Sequence, residues 1–95
     1  MLIAKRISGF KYLGVEVNTY EANTGEGIPM HSHPFAHGTI CQAGLCKITI
    51  DDNSFVIQNG ILYEMPENTA HEIEALEDGT VIVNVVPDQT IKANA

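Results

Sequence analysis

The chain has 95 residues, twelve acidic and five basic, for a formal charge of −7 with the histidines neutral. That length fits one small domain, expected to span residues 1–95, and the charge argues against nucleic acid, which needs Lys and Arg clustered on one surface. No run approaches the roughly 18 apolar residues of a membrane span and residues 1–10 lack an apolar core of signal-peptide length, so a cytoplasmic protein that engages no membrane is expected.

In chain order the pattern is strand and turn. Residues 2–7 read as an N-terminal strand. Residues 11–22 alternate Tyr12, Val15, Val17 and Tyr20 imperfectly with polar side chains, and the run Asn23-Thr24-Gly25-Glu26-Gly27 reads as a turn. Residues 36–43 and 45–50 flank Gly44 and read as a hairpin, closed after the second strand by Asp51-Asp52-Asn53. Residues 55–58, 61–65, 70–76 and 80–86 continue the series, and residues 90–95 are expected to fray. Short strands separated by Gly, Pro, Asn and Asp are the mark of an all-β sandwich or barrel, and no helix-period segment competes. No repeat, low-complexity stretch or linker interrupts the chain.

All four histidines belong to two short stretches: His31, His33 and His37, then His71 after Gly60 and Pro66. Side chains alternate across a strand, so His31 and His33 would share one face, and His37 would return to it if parity holds. His71 would arrive from a neighbouring strand. Gly25 precedes His31 by five intervening residues, three separate His33 from His37, and six lead on to Gly44. Fifteen residues later Gly60 is followed by five residues, Pro66, Asn68 and His71.

This spacing resembles the two signature motifs of the cupin superfamily, G-x5-H-x-H-x3-4-E-x6-G and G-x5-P-x-G-x2-H-x3-N, here at residues 25–44 and 60–75. The resemblance implies an all-β cupin-type jelly-roll β-barrel with a metal in its mouth. Three positions depart from the pattern: His37 replaces a glutamate ligand, Asn68 a glycine and Ala75 an asparagine. Asn tolerates a left-handed backbone better than most residues, so Asn68 suits its turn. The His37 exchange alters the charge of the site. It either supplies a fourth imidazole or turns away and leaves a three-histidine site.

The expected metal ligands are therefore His31, His33, His37 and His71. The expected cofactor is a divalent transition metal, among zinc, iron, nickel, copper and manganese, which suit imidazole better than calcium or magnesium does. Four neutral imidazoles would leave the ion its full +2 charge and make it the stronger Lewis acid. Cys41 and Cys46 are read as buried, reduced thiols, with ligation by Cys41 open if it shares the face of His37. Alternation from His71 points Glu72 and Glu74 outward and Ile73 inward, so neither glutamate is a good catalytic acid. Met30, Phe35, Tyr20 and Tyr63 are read first as packing residues. Between Lys11 and Lys92 the one cation is Lys47, so no guanidinium is expected in the pocket.

Two functions fit. One is a metal-dependent enzyme for an oxygen-rich small molecule, a dioxygenase or an isomerase or lyase of sugar-derived or keto acids, with Tyr63 as proton carrier. The other is a non-catalytic module that binds a metal or small-molecule ligand; fold does not choose between them. Exposed sheet edges and the apolar run at residues 81–86 predict a homodimer, with residues 2–7 pairing across a two-fold axis.

Overall fold

The computed structural model describes residues 1–88, so the expected fraying of residues 90–95 lies outside the described residues. Ten strands form two five-stranded sheets that face each other as a jelly roll. The first sheet has the order β1 (Leu2–Ile3), β4 (Glu26–His31), β9 (His71–Ala75), β6 (Cys46–Ile50), β7 (Asn53–Ile57). The second has the order β2 (Lys5–Tyr12), β3 (Val15–Ala22), β10 (Thr80–Pro87), β5 (His37–Ala43), β8 (Leu62–Met65).

Alternation along the central strands builds the core. His71, Ile73 and Ala75 on β9 face inward, as do His37, Thr39 and Cys41 on β5 and Thr80, Ile82 and Asn84 on β10. The outward positions between them are only partly covered, among them Glu72 and Glu74, as alternation from His71 required. Glu74 lies opposite Lys47 on β6, with the ion pair at 3.4 Å. The largest fully buried side chains include Ile48, Ile73, Ile82 and Met65, drawn from both sheets into one hydrophobic core. Burying each Ile contributes about 2 kcal/mol relative to exposure.

Three sequence expectations are corrected. Residues 11–22 are not one strand: Leu13 (φ 49°) and Gly14 (φ 83°) form a tight two-residue turn between β2 and β3. Paired positive φ values match the right-handed twist of flanking strands, so Gly14 marks this turn even though Leu is an unfavourable partner there. Strands β5 and β6 are not a hairpin. They lie in different sheets, and Gly44 (φ 80°) turns the corner where a Cβ would strike Thr80. The hairpin is instead β6–β7, closed by Asp51 and Asp52, with Ile50 opposite Asn53. The N-terminal segment is split: Leu2–Ile3 pairs in parallel with β4, and the chain crosses at buried Ala4 into the second sheet as β2.

On β4, Gly27 lies opposite Glu74 of β9. A Cβ there would run into the Ile73 carbonyl oxygen. Overpacking of this kind costs about 1–3 kcal/mol. Gly27→Ala is therefore expected to lower stability by about that amount, measured by urea denaturation, and an unchanged midpoint would show that the two strands part without penalty.

Candidate metal centre

All four histidines gather at one end of the barrel. His31 is the last residue of β4 and lies opposite His71, the first residue of β9, across a register shift between Ile28 and His31. His37 begins β5 in the other sheet and pairs with Met65. The site thus spans the gap between the sheets. Strand parity does not place His33, contrary to expectation: β4 ends at His31, and His33 lies in the loop of residues 32–36. That loop is held from across the site, because the Asn68 N–H donates to the His33 carbonyl at 2.8 Å. Asn68 has φ 55°, the left-handed conformation its sequence position called for.

Ring centroids lie 4.5 Å apart for His31–His71, 4.8 Å for His33–His37, 4.9 Å for His33–His71, 5.1 Å for His37–His71 and 5.3 Å for His31–His33. Candidate ligand nitrogens of His31, His33 and His71 all lie within 4.8 Å of one another, a cluster able to hold a metal ion. His37 borders this group through its ring contacts. Phe35 stacks on His33 at 4.2 Å with the planes 8° apart and closes that side.

Backbone carbonyls set the tautomers. The Nδ1 atoms of His31, His33 and His71 lie 2.7 to 2.8 Å from the carbonyl oxygens of Pro29, Phe35 and Thr69. A carbonyl only accepts, so each Nδ1 must carry the proton, and each Nε2 of the neutral rings keeps its lone pair for a metal. This is the usual outer support of a metal-binding histidine. Among the described residues, two ring nitrogens are buried without a protein partner: His71 Nε2 and His37 Nδ1. Such orphans cost about 1–3 kcal/mol each. A metal ion between these rings would take up the His71 lone pair, so the residues fit the cofactor that the donor set implies.

Neither sequence-derived accessory joins the cluster. Cys41 does share the inward face of His37, but both thiols are fully buried and Cys46 Sγ donates to Cys41 Sγ at 2.9 Å. Burial pushes the Cys46 thiol up, away from the thiolate a metal would need. Both cysteines are free, as expected. Cys46 lies opposite Ala75, so position 75 belongs to the apolar floor, where an asparagine would lack partners. Tyr63 lies opposite Thr39 on β8, packs on Phe55 at 4.7 Å and lines a groove of about 370 Å³ with Ile57 and Ile61. Of the other packing candidates, Tyr20 lies against the core and Met30 is exposed.

The model of the cupin domain matches residues 18–87. Conserved protein SPY1581 of Streptococcus pyogenes, of unknown function, superposes with TM-score 0.73 at 22% identity, over 93% of this chain and 81% of that one. KdgF from Halomonas sp. does so with TM-score 0.71 at 15% identity, over 81% and 73%. Bacillus subtilis oxalate decarboxylase, described with Mn(II) centres, gives TM-score 0.69 at 25% identity over 86% of this chain and 23% of its own. No curated protein matches the chain. No helix among the described residues is long and apolar enough to cross a membrane.

Burial lowers the pKa of His37 from 6.5 to about 4, reinforced by the charges of His33, His71 and His31. Burial likewise lowers that of His71, opposed by its bond to the Thr69 carbonyl and aided by His31 and His33. The unfolded chain binds these protons first as pH falls, so both histidines favour folding above about pH 6.5 and cost stability on acidification. For His37 the loss runs from about pH 6.5 down to about 4 and reaches at most about 3 kcal/mol. Chemical denaturation of the metal-free protein at pH 7, 5.5 and 4.5 is expected to show this decline, and His37→Gln to flatten it; equal slopes for the two proteins would mean that His37 is already charged or solvated.

Proposed function

Because the chain belongs to the cupin domain family, we propose that its histidine cluster holds a divalent transition metal and serves a small metal-dependent enzyme acting on an oxygen-rich small molecule. The reaction is a dioxygenation, or an isomerisation or elimination on a sugar-derived or keto acid. One observation carries this reading: three imidazoles are clamped through Nδ1 with their ligand nitrogens converging. His31, His33 and His71 hold the ion and His37 is its fourth ligand, with zinc, iron, nickel, copper or manganese suited to such donors. Likeness to an oxalate decarboxylase with Mn(II) centres supports a metal here.

When bound, the ion supplies Lewis acidity toward a carbonyl or enolate oxygen. The protein's own part is to orient and to move a proton. Four neutral ligands leave the ion's charge unreduced, which favours an anionic oxygen donor. Phe35, stacked on His33, shields one flank of the rings from water. Tyr63, opposite Thr39 on the strand next to β5, is the proposed proton carrier.

Metal analysis of protein purified without a histidine tag is expected to give about one ion per chain. His37→Glu should retain the metal and His37→Ala weaken it by about tenfold. Equal affinity in all three proteins would remove His37 from the ligand set. Tyr63→Phe should keep the metal while turnover of a keto or sugar acid falls by about a hundredfold or more.

The same reading includes a homodimer. On the outer face of the second sheet Phe10 lies opposite Val17, and Val17 opposite Val85, with Phe10, Tyr12 and Leu62 exposed. Edge-to-edge pairing of β2 is disfavoured by its Lys5, Arg6 and Lys11, since charges on an edge strand block strand addition. Packing is therefore proposed face to face, in place of the pairing through residues 2–7 expected from the sequence. Sedimentation at micromolar concentration should give a dimer that Phe10→Asp dissociates; a wild-type monomer would end this part of the reading.

A further inference from the structure

The inner face of the second sheet continues past the histidines as a polar strip. Thr39 pairs with Asn84, Asn84 with Asn18, and Asn18 with Gly9, a single row across β5, β10, β3 and β2. Thr39 and Asn84 are buried and joined by a 2.7 Å hydrogen bond from Thr39 Oγ1 to Asn84 Oδ1. One row nearer the histidine end, Val86 pairs with Glu16 and Glu16 with Lys11. Gly38 pairs with Val85, which puts His37 level with that row.

Arg6, the chain's sole arginine, joins this strip from β2. It lies opposite Tyr20, which packs against the core, so it starts on the inner face. The register shift between Arg6 and Ser8 keeps Gly9 and Lys11 on that face as well. Its Nε donates to Asn18 Oδ1 at 3.0 Å, and Nη2 lies 3.6 Å from Glu16 Oε2. The side chain can cross its own strand because Gly9 has no Cβ; one placed there would strike the guanidinium. Strand β2, before Lys11, thus supplies a guanidinium to the sheet that carries His37.

We propose that Arg6 is the specificity-determining anchor for a carboxylate at the far end of a ligand whose other end meets the histidine-held metal; this rests on the metal reading above. Asn18 aligns the fork, and the guanidinium has five N–H donors of which Nε is taken. The exposed contact with Glu16 is weak and yields readily to a better-placed carboxylate. The guanidinium lies over Gly9 of β2 and bonds to Asn18 of β3, two to three interstrand steps or about 10–14 Å from β5. The imidazole and its metal bond occupy part of that span. The remainder suits a chain of about five or six carbons: a 2-oxo diacid or an open-chain sugar acid, oxygen donors at one end and carboxylate at the other.

The test uses the full chain loaded with Co(II), whose visible spectrum reports ligand exchange, titrated with 2-oxoglutarate and with 2-oxopentanoate. These share a five-carbon 2-oxo acid and differ in the distal carboxylate. Wild type is expected to bind 2-oxoglutarate about tenfold or more tightly than 2-oxopentanoate. Arg6→Gln should abolish that preference while leaving 2-oxopentanoate binding and the thermal midpoint unchanged. Arg6→Lys should retain part of it. Glu16→Gln should strengthen 2-oxoglutarate binding several-fold by removing a competing charge, a gain that structural damage would not produce. Discrimination that is absent in wild type or survives in Arg6→Gln overturns the anchor and leaves the metal reading standing. If neither acid perturbs the cobalt spectrum, the metal-bound ligand fails first and the anchor fails with it.

Discussion

Four imidazoles gather with ring centroids mostly within about 5 Å of one another, and the buried pair among them, His37 and His71, resists protonation; much at this end of the barrel follows from that constraint. A proton on any one ring would face its neighbours at close range under partial burial, which is why burial and mutual repulsion both act to keep His37 uncharged. Neutrality alone leaves the tautomer open. The carbonyls of Pro29, Phe35 and Thr69 settle it by holding the Nδ1 protons, so the remaining nitrogens confront each other as lone pairs. That arrangement repels itself unless something electrophilic lies among them. The local backbone, two residues from His31, His33 and His71, therefore determines the chemistry as much as the histidines do.

Jelly-roll winding makes such a cluster possible from a short chain. The first sheet contributes His31 and His71, the second His37, and the crossing of β5 to β6 at Gly44 keeps the two walls apart at a distance that inward side chains can fill. Below the rings the fill is aliphatic, with Ile48, Ile73, Ile82 and Met65, and the thiols and Ala75 form the floor. This gradient from apolar floor to polar mouth fits a site that must exclude water on one side and admit a polar ligand on the other.

Much of this was legible in the residues. Strand alternation from His71 placed Glu72, Ile73 and Glu74 on their proper faces, and Asn68 adopted the left-handed turn that its side chain tolerates. What pattern could not show was which strands share a sheet. The Gly44 segment has the composition of a hairpin turn, yet hairpin and corner use the same residue types, and contacts from Thr80, distant in sequence, make the difference. His33 was placed with His31 by a parity that does not hold, because a loop tied to Asn68 carries it. The count of cations between Lys11 and Lys92 leaves out Arg6, since linear order says nothing about a side chain that reaches over Gly9 toward the next strand. The Leu13-Gly14 turn was missed because Leu seldom takes a positive φ, although Gly14 was there to signal it.

The Asn68–His33 bond and the pairing of His31 with His71 join segments that lie 35 and 40 residues apart in the chain. Contacts of such separation close large loops and form late, after local turns such as Leu13-Gly14. A collapsed intermediate with β6–β7 and β2–β3 already formed would still have no cluster. An ion that recognises the assembled rings would thus discriminate between the finished barrel and its precursors, lengthening the lifetime of the native state while doing little to hasten its formation.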